Sequence, residues 1–249
     1  KLWNVARFAQ RFFFFFEGLA DPSGSPTRRV GQPDRLGGPD RLTLGDRWLL
    51  ARLARLIERT TALMEAYDYA AAKSEIELFF WHDLADNYLE MAKQRLYEQA
   101  DAAAAWTLQM ALLTIIKLFA PFLPFITEQI YQGLFAKSEN DSIHLAQWPV
   151  LAPGWLDEAA ERQGELLLAI AAAVRRYKSE QSLALGSELG TLLLSGPAEF
   201  ASLPEDGAAD LLSITRAQTI VWTESLPAGS PMATLDNGLQ IGLAALVES

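Results

Sequence analysis

Three carboxylates, Asp83, Asp86 and Glu90, recur at three- and four-residue spacing and so share one face of a helix. Such a row is ordinarily a solvated face. It can also accept hydrogen bonds from exocyclic base amines, because a carboxylate pairs with the N4 amine of cytosine. Lys1, Arg7 and Arg11 line one side of the first helix, with Phe8 beside Arg7. Cations next to an exposed ring suit single-stranded RNA, whose bases stack on aromatics while its phosphates meet the cations. The plainer alternative is a buried Phe8 flanked by basic side chains that snorkel to water. A second basic cluster, Arg175, Arg176 and Lys178, closes a helix, where it also complements the helix dipole. His82, between Trp81 and Asp83, reads as a hydrogen-bonded structural histidine; His144 falls in a loop with no evident partner.

Most other chemistry is excluded by composition. The chain has 249 residues, half of them hydrophobic, no cysteine and two histidines. That leaves no disulfide scaffold, thiol nucleophile or Cys-ligated zinc site, and argues against a His-rich metal site. No Walker-type glycine loop, dinucleotide fingerprint, Gly-x-Ser-x-Gly elbow or Glu-x-x-His pair occurs. We therefore expect neither catalytic nor metal-binding residues. The net charge of −10 argues against nonspecific nucleic-acid binding but leaves room for a local site. The apolar runs carry a charge or a proline, such as Lys117 and Pro121, so no membrane span is expected, and a cytoplasmic protein fits. The first residue is Lys1, not methionine, so a fragment or processed product is expected.

The elements that must position these groups are mostly helical. Residues 1–19 read as an aromatic-rich helix ending in five phenylalanines, Phe12 to Phe16, expected to be buried. A Pro/Gly-rich loop covers 20–43, with Pro-Asp-Arg-Leu written twice. A helix with the stripe Leu49, Leu53, Leu56, Thr60, Leu63, Tyr67 follows. The next, about 69–98, has two apolar stripes: Ile76, Phe80, Leu84, Tyr88, Met91 and Leu78, Trp81, Ala85, Leu89, Ala92. So wide an apolar arc belongs in the middle of a bundle, with Asp83, Asp86, Glu90 and Lys93 on the remaining face. Helices at about 102–119, 126–135 and 155–180 come next, broken by Pro121 and Pro124 and by a loop from Lys137 to Gly154. The last is expected to bury Leu156, Gln163, Leu166, Ile170, Val174 and Tyr177. Near Gly186 the period changes: β-like runs at 189–195, 218–223 and 239–246 flank a helix at 198–214, the last run following the turn Asp236-Asn237-Gly238. The fold expected is mainly α: a helical bundle over 1–153, then a C-terminal helix plus small α/β segment over 154–249.

Five segments, in order, resemble the anticodon-binding domain of valyl-tRNA synthetases, within the class I group that handles valine, isoleucine, leucine and methionine. They are Lys1-Leu2-Trp3-Asn4-Val5-Ala6-Arg7-Phe8, Asp46-Arg47-Trp48-Leu49-Leu50-Ala51-Arg52-Leu53, Tyr88-Leu89-Glu90-Met91-Ala92-Lys93 with Trp81 before it, Pro121-Phe122-Leu123-Pro124-Phe125-Ile126-Thr127-Glu128, and Trp148-Pro149. The helix carrying Val174-Arg175-Arg176-Tyr177-Lys178-Ser179-Glu180 is similar to the region that follows in some bacterial members. Two departures stand out: Asn87 where a tryptophan is common, and Ala120 where a histidine is usual.

The resemblance implies a cytoplasmic ligase that joins valine to its tRNA with ATP and magnesium, and a fragment that holds neither cofactor. The family's His-Ile-Gly-His and Lys-Met-Ser-Lys-Ser signatures are absent from this sequence, so its catalytic and editing domains would precede Lys1. The implied partners are the tRNA-Val anticodon loop and that catalytic domain. The implied anticodon readers are Lys1, Phe8, Leu89 and Glu90. Phe8 and Leu89 would offer apolar faces to splayed bases, Glu90 would accept from a base amine, and Lys1 would donate to a base or phosphate. Arg7 and Asp86 are expected to be structural. The alternatives are the equivalent domain of an isoleucyl or leucyl enzyme, or a protein-interaction bundle using Phe12 to Phe16.

Overall fold

A computed structural model describes residues 1–13, 42–138, 140–151, 154–201, 203 and 207–244. The first helix, α1 (Leu2–Phe13), buries Val5, Ala6, Ala9, Phe12 and Phe13. Phe12 and Phe13 thus take the buried role expected of the phenylalanine run; the rest of that run and the Pro/Gly-rich loop lie outside the described residues.

Helix α2 (Leu44–Glu65) starts at a capping box: Asp46 N–H donates to Thr43 Oγ1 at 3.4 Å and Thr43 N–H to Asp46 Oδ2 at 3.1 Å. Leu49, Leu53, Leu56 and Thr60 are buried, but Tyr67 is not on that stripe. It lies beyond the helix at φ 61°, exposed and edge-on to Tyr69.

The long helix 69–98 is one rod of three parts: α3 (Tyr69–Leu78), a π-helical stretch (Phe79–Tyr88) and α4 (Leu89–Glu98). Ile76, Phe80, Leu84, Tyr88 and Met91 are all buried, as their stripe requires. The second stripe holds from Trp81 onward, whereas Leu78 is exposed. In the middle stretch the ladder closes one residue wider, as in Leu89 N–H to Leu84 O, so faces drawn at 3.6 residues per turn slip. Asp83 is the casualty. It is buried, accepting from Arg52 Nε at 3.1 Å and paired with His82 Nδ1 at 3.0 Å, while Asp86 and Glu90 stay exposed. The carboxylate row is therefore two residues, not three. His82 has the expected hydrogen bond but an exposed ring.

Helix α5 (Ala102–Phe119) is the central rod. Contrary to expectation it is long and apolar enough to cross a bilayer by length and composition, yet 72% of it is buried inside the bundle, which accounts for that character. Pro124 opens α6 (Pro124–Leu134), with Pro at the first helical turn where its missing N–H costs nothing. Helix α7 (Glu158–Glu180) packs along α2. Gly164 permits that approach: a Cβ there would lie 2.3 Å from the Trp48 ring. The buried line on α7 is Ala160, Gly164, Leu166, Leu167, Ile170, Ala171, Val174 and Lys178, whereas Leu156 is exposed and Gln163 and Tyr177 are half-buried.

The C-terminal segment is a four-stranded sheet in the order β2-β1-β4-β3, made of β1 (Leu189–Ser195), β2 (Ala217–Trp222), β3 (Pro231–Thr234) and β4 (Gln240–Leu243). The β1–β2 pair is parallel and needs a crossover, which α8 (Ala208–Thr215) supplies. The helix expected over 198–214 is in fact a 3₁₀ turn at Ala198–Phe200 followed by α8. The turn at Asp236-Asn237-Gly238 is present, with Gly238 at φ 86°, and joins β4 to β3, a strand the sequence reading did not anticipate. One core runs from α1 through the helices into Leu192, Leu194, Leu211 and Ile241.

Candidate nucleic-acid interface

Helix α1 packs on α5 and α6 and touches the long helix at two points. Lys1 Nζ lies 4.2 Å from the centre of the Trp81 ring, a cation–π contact. Phe8, half-buried, meets Tyr97 edge-on at 5.9 Å and Phe12 at 5.1 Å. Trp81, Leu89 and Tyr97 follow one another at eight-residue steps. Leu89 is half-buried, and Glu90 next to it points its carboxylate to solvent, where among the described residues its partner is Lys93 Nζ at 3.3 Å. Helix α1 and the long helix thus carry a half-buried aromatic ring, a half-buried aliphatic side chain, an exposed carboxylate and an exposed ammonium. An exposed ion pair like Glu90–Lys93 contributes little and yields easily to a ligand.

Arg7 departs from expectation. It is exposed, lines an open strip with Asn4, Phe8 and Arg11, and makes no ion pair among the described residues. Among the described residues it is a surface cation. Asp86 is exposed too, although its backbone carbonyl accepts from Arg175 Nη2 at 3.2 Å. Asn87, one of the departures from the family pattern, is buried: it donates to His82 O at 2.8 Å and accepts from Arg175 at 3.2 Å. The C-terminal basic cluster is also smaller than expected. Lys178 is buried, and its ammonium donates to the carbonyls of Leu185, Ser187 and Thr215 at 3.0, 2.7 and 3.0 Å. It ties the end of α7 to the end of α8 instead of meeting solvent.

Behind the candidate surface lies a buried polar network. Arg95, 2% exposed, forms a two-pronged pair with Asp46 at 2.9 and 2.8 Å and reaches Asp101 at 3.3 Å and Asp210 at 3.2 Å. Tyr88 donates to Asp46 at 2.7 Å. Asp210, from α8, also accepts from Gly45 N–H at 2.8 Å and Thr43 Oγ1 at 3.2 Å. Burial raises the Asp210 carboxyl to about 6, with Arg95 opposing the shift and Asp46 adding to it. Burial disfavours the Arg95 charge, but Asp46 more than compensates and its pKa is raised. Burial and the neighbouring Asp46 push the Tyr88 phenol well above its ordinary range.

The sequence reading missed this network. The one local signal for it is Thr43-Leu44-Gly45-Asp46, a capping-box pattern that announces Asp46 as a helix-start residue. Other motif residues are likewise structural. Glu128 accepts from Ile143 N–H at 2.9 Å and Ser142 Oγ at 3.0 Å, and Trp148 Nε1 donates to Thr61 Oγ1 at 2.9 Å, fastening the loop after α6 to its neighbours. Among the described residues no cluster of three His, Asp or Glu could hold a metal ion.

The chain is a helical bundle with a small α/β extension. Residues 46–193 match the family described as the anticodon-binding domain of tRNA ligase. The chain belongs to that family. Among its relatives is a valine–tRNA ligase of Thermococcus kodakarensis, 39% identical over 76% of this chain and 20% of the relative. Those of a Wolbachia of Brugia malayi and of Haloarcula marismortui are 31% and 35% identical over 92% and 88% of this chain, and 25% and 21% of their own length. The chain thus spans a fifth to a quarter of the length of these relatives.

Proposed function

We propose that this chain is the anticodon-reading part of a valine–tRNA ligase, with Lys1, Phe8, Leu89 and Glu90 as its readers. The observation that carries the reading is the exposed Glu90 carboxylate beside the half-buried Leu89, on the long helix that Lys1 meets at Trp81 and Phe8 at Tyr97. The valine assignment over isoleucine or leucine rests on the relatives, each a valine–tRNA ligase.

Valine anticodons end in adenine and cytosine, isoleucine anticodons in adenine and uracil. Glu90 accepts from the N4 amine of that cytosine and repels the carbonyl oxygen uracil presents in its place. Phe8 and Leu89 pack against the splayed bases. Lys1 leaves the Trp81 ring for a phosphate or base edge. The whole protein attaches valine to tRNA in the cytoplasm, using ATP and magnesium. This chain's residues fit neither cofactor, with no phosphate-cradling glycine loop in the sequence and no acidic metal cluster among the described residues. The chain also docks on the catalytic domain, its 1–153 bundle presenting the readers and its 154–249 segment bracing them.

The test is binding of a valine anticodon stem-loop RNA to the chain and to its Glu90→Ala and Phe8→Ala variants. Both variants bind more weakly at an unchanged melting temperature for Glu90→Ala, whose side chain is exposed. Undiminished binding by both would reject the site.

A further inference from the structure

Helix α8 is seated on the reader helix by two side chains one turn apart on the same face. Asp210 enters the Arg95, Gly45 and Thr43 network. Ser213, three residues later, donates its hydroxyl to the backbone carbonyl of Glu90 at 2.6 Å and accepts from the N–H of Gln94 at 3.4 Å. Glu90 O and Gln94 N–H are the two ends of one rung of the α4 ladder. A side chain inserted into such a rung changes the local direction of a helix. Ser213 is buried, so water does not replace it if the hydroxyl is removed. The Glu90 side chain, by contrast, is met among the described residues only by the exposed Lys93. The fixed point of Glu90 is therefore its own peptide group, and α8 is what fixes it.

We infer that Ser213 is a positioning residue for Glu90, and that the C-terminal α/β segment thereby takes part in base selectivity without touching RNA. The inference rests on the proposed reading of cytosine by Glu90.

The experiment measures binding of the 249-residue chain to two stem-loop RNAs that differ only in the last anticodon base, cytosine or uracil. Each variant's melting temperature is recorded alongside. Glu90→Ala loses the preference for cytosine. Ser213→Ala lowers the cytosine-to-uracil affinity ratio about fivefold, roughly the worth of one hydrogen bond, by weakening the cytosine complex alone. Ser213→Thr, which keeps the hydroxyl, restores the ratio. If Ser213→Ala does not fold, Ser213→Cys, close in size and a much weaker donor, carries the same expectation. Two results overturn the inference while leaving Glu90 a reader: an unchanged ratio in Ser213→Ala, or equal weakening of both complexes with a lower melting temperature. An unchanged ratio in Glu90→Ala overturns the reading of Glu90 itself, and the inference with it.

Discussion

The buried carboxyl of Asp210 makes the stability of this chain depend on pH in an unusual direction. In the folded chain its pKa stands at about 6, against an ordinary 3.8. Between those values the folded state binds a proton that the unfolded state does not. Stability from this group is therefore absent above pH 6 and grows as pH falls through 6 toward 3.8. From pH 8 to pH 5 the difference in proton binding integrates to roughly 1–2 kcal/mol of added stability. The physical source is burial, with the neighbouring Asp46 carboxylate adding to it; Arg95, shared among Asp46, Asp210 and the partly exposed Asp101, only partly offsets the shift. Glu128 and Asp141, whose pKa values are lowered from 4.5 and 3.8, lose their contribution only below this window. The assay is urea unfolding at pH 8, 7, 6 and 5 of the chain and of Asp210→Asn. The variant shifts overall stability through its altered hydrogen bonds, but the comparison lies in the slopes. The difference between the two curves should widen in favour of the parent by roughly 1–2 kcal/mol on going to pH 5. Parallel curves, or a parent that loses ground as pH falls, would refute the reasoning.

Arg95→Met should cost roughly 3–5 kcal/mol by thermal or urea unfolding, because it leaves two fully buried carboxylates without their counter-charge. Gly164→Ala should cost about 1–3 kcal/mol, since its Cβ would collide with the Trp48 ring at 2.3 Å and drive α2 and α7 apart. Lys178→Met should cost roughly 1–3 kcal/mol, read in the same melts, by orphaning the carbonyls of Leu185, Ser187 and Thr215.

The helices were legible because most bury a stripe at helical spacing and several open at a capping residue, Thr43, Asp68, Asp101 or Asp157, or at Pro124. The stripe Ile76 to Met91 is buried throughout. What could not be read follows from interactions without a local signature. The π-helical stretch depends on packing along the whole rod, and its slipped register is why Asp83 left the row with Asp86 and Glu90. Strand β3 is four residues long, with a register shift between Pro231 and Ala233, and exists because β4 pairs with it. Asp210 meets Gly45 across 165 positions and Ser213 meets Glu90 across 123, distances over which no spacing rule speaks. Lys178 reads as a surface cation until the carbonyls around it are known. Of the four proposed readers, Lys1 and Glu90 stood in charge rows beside Arg7, Arg11, Asp83 and Asp86, with Phe8 next to Arg7, and only the resemblance picked them out; Leu89 came from the resemblance and is otherwise one more residue of an apolar stripe.

The most direct measurement is binding of the unaltered chain to a valine anticodon stem-loop beside an isoleucine one, at low and moderate salt. The account predicts preference for the valine RNA at both salts, because the Glu90 carboxylate distinguishes cytosine from uracil by a hydrogen bond that salt does not remove. Equal affinity for both RNAs, falling together as salt rises, would contradict it: the surface would then hold phosphates and read no base.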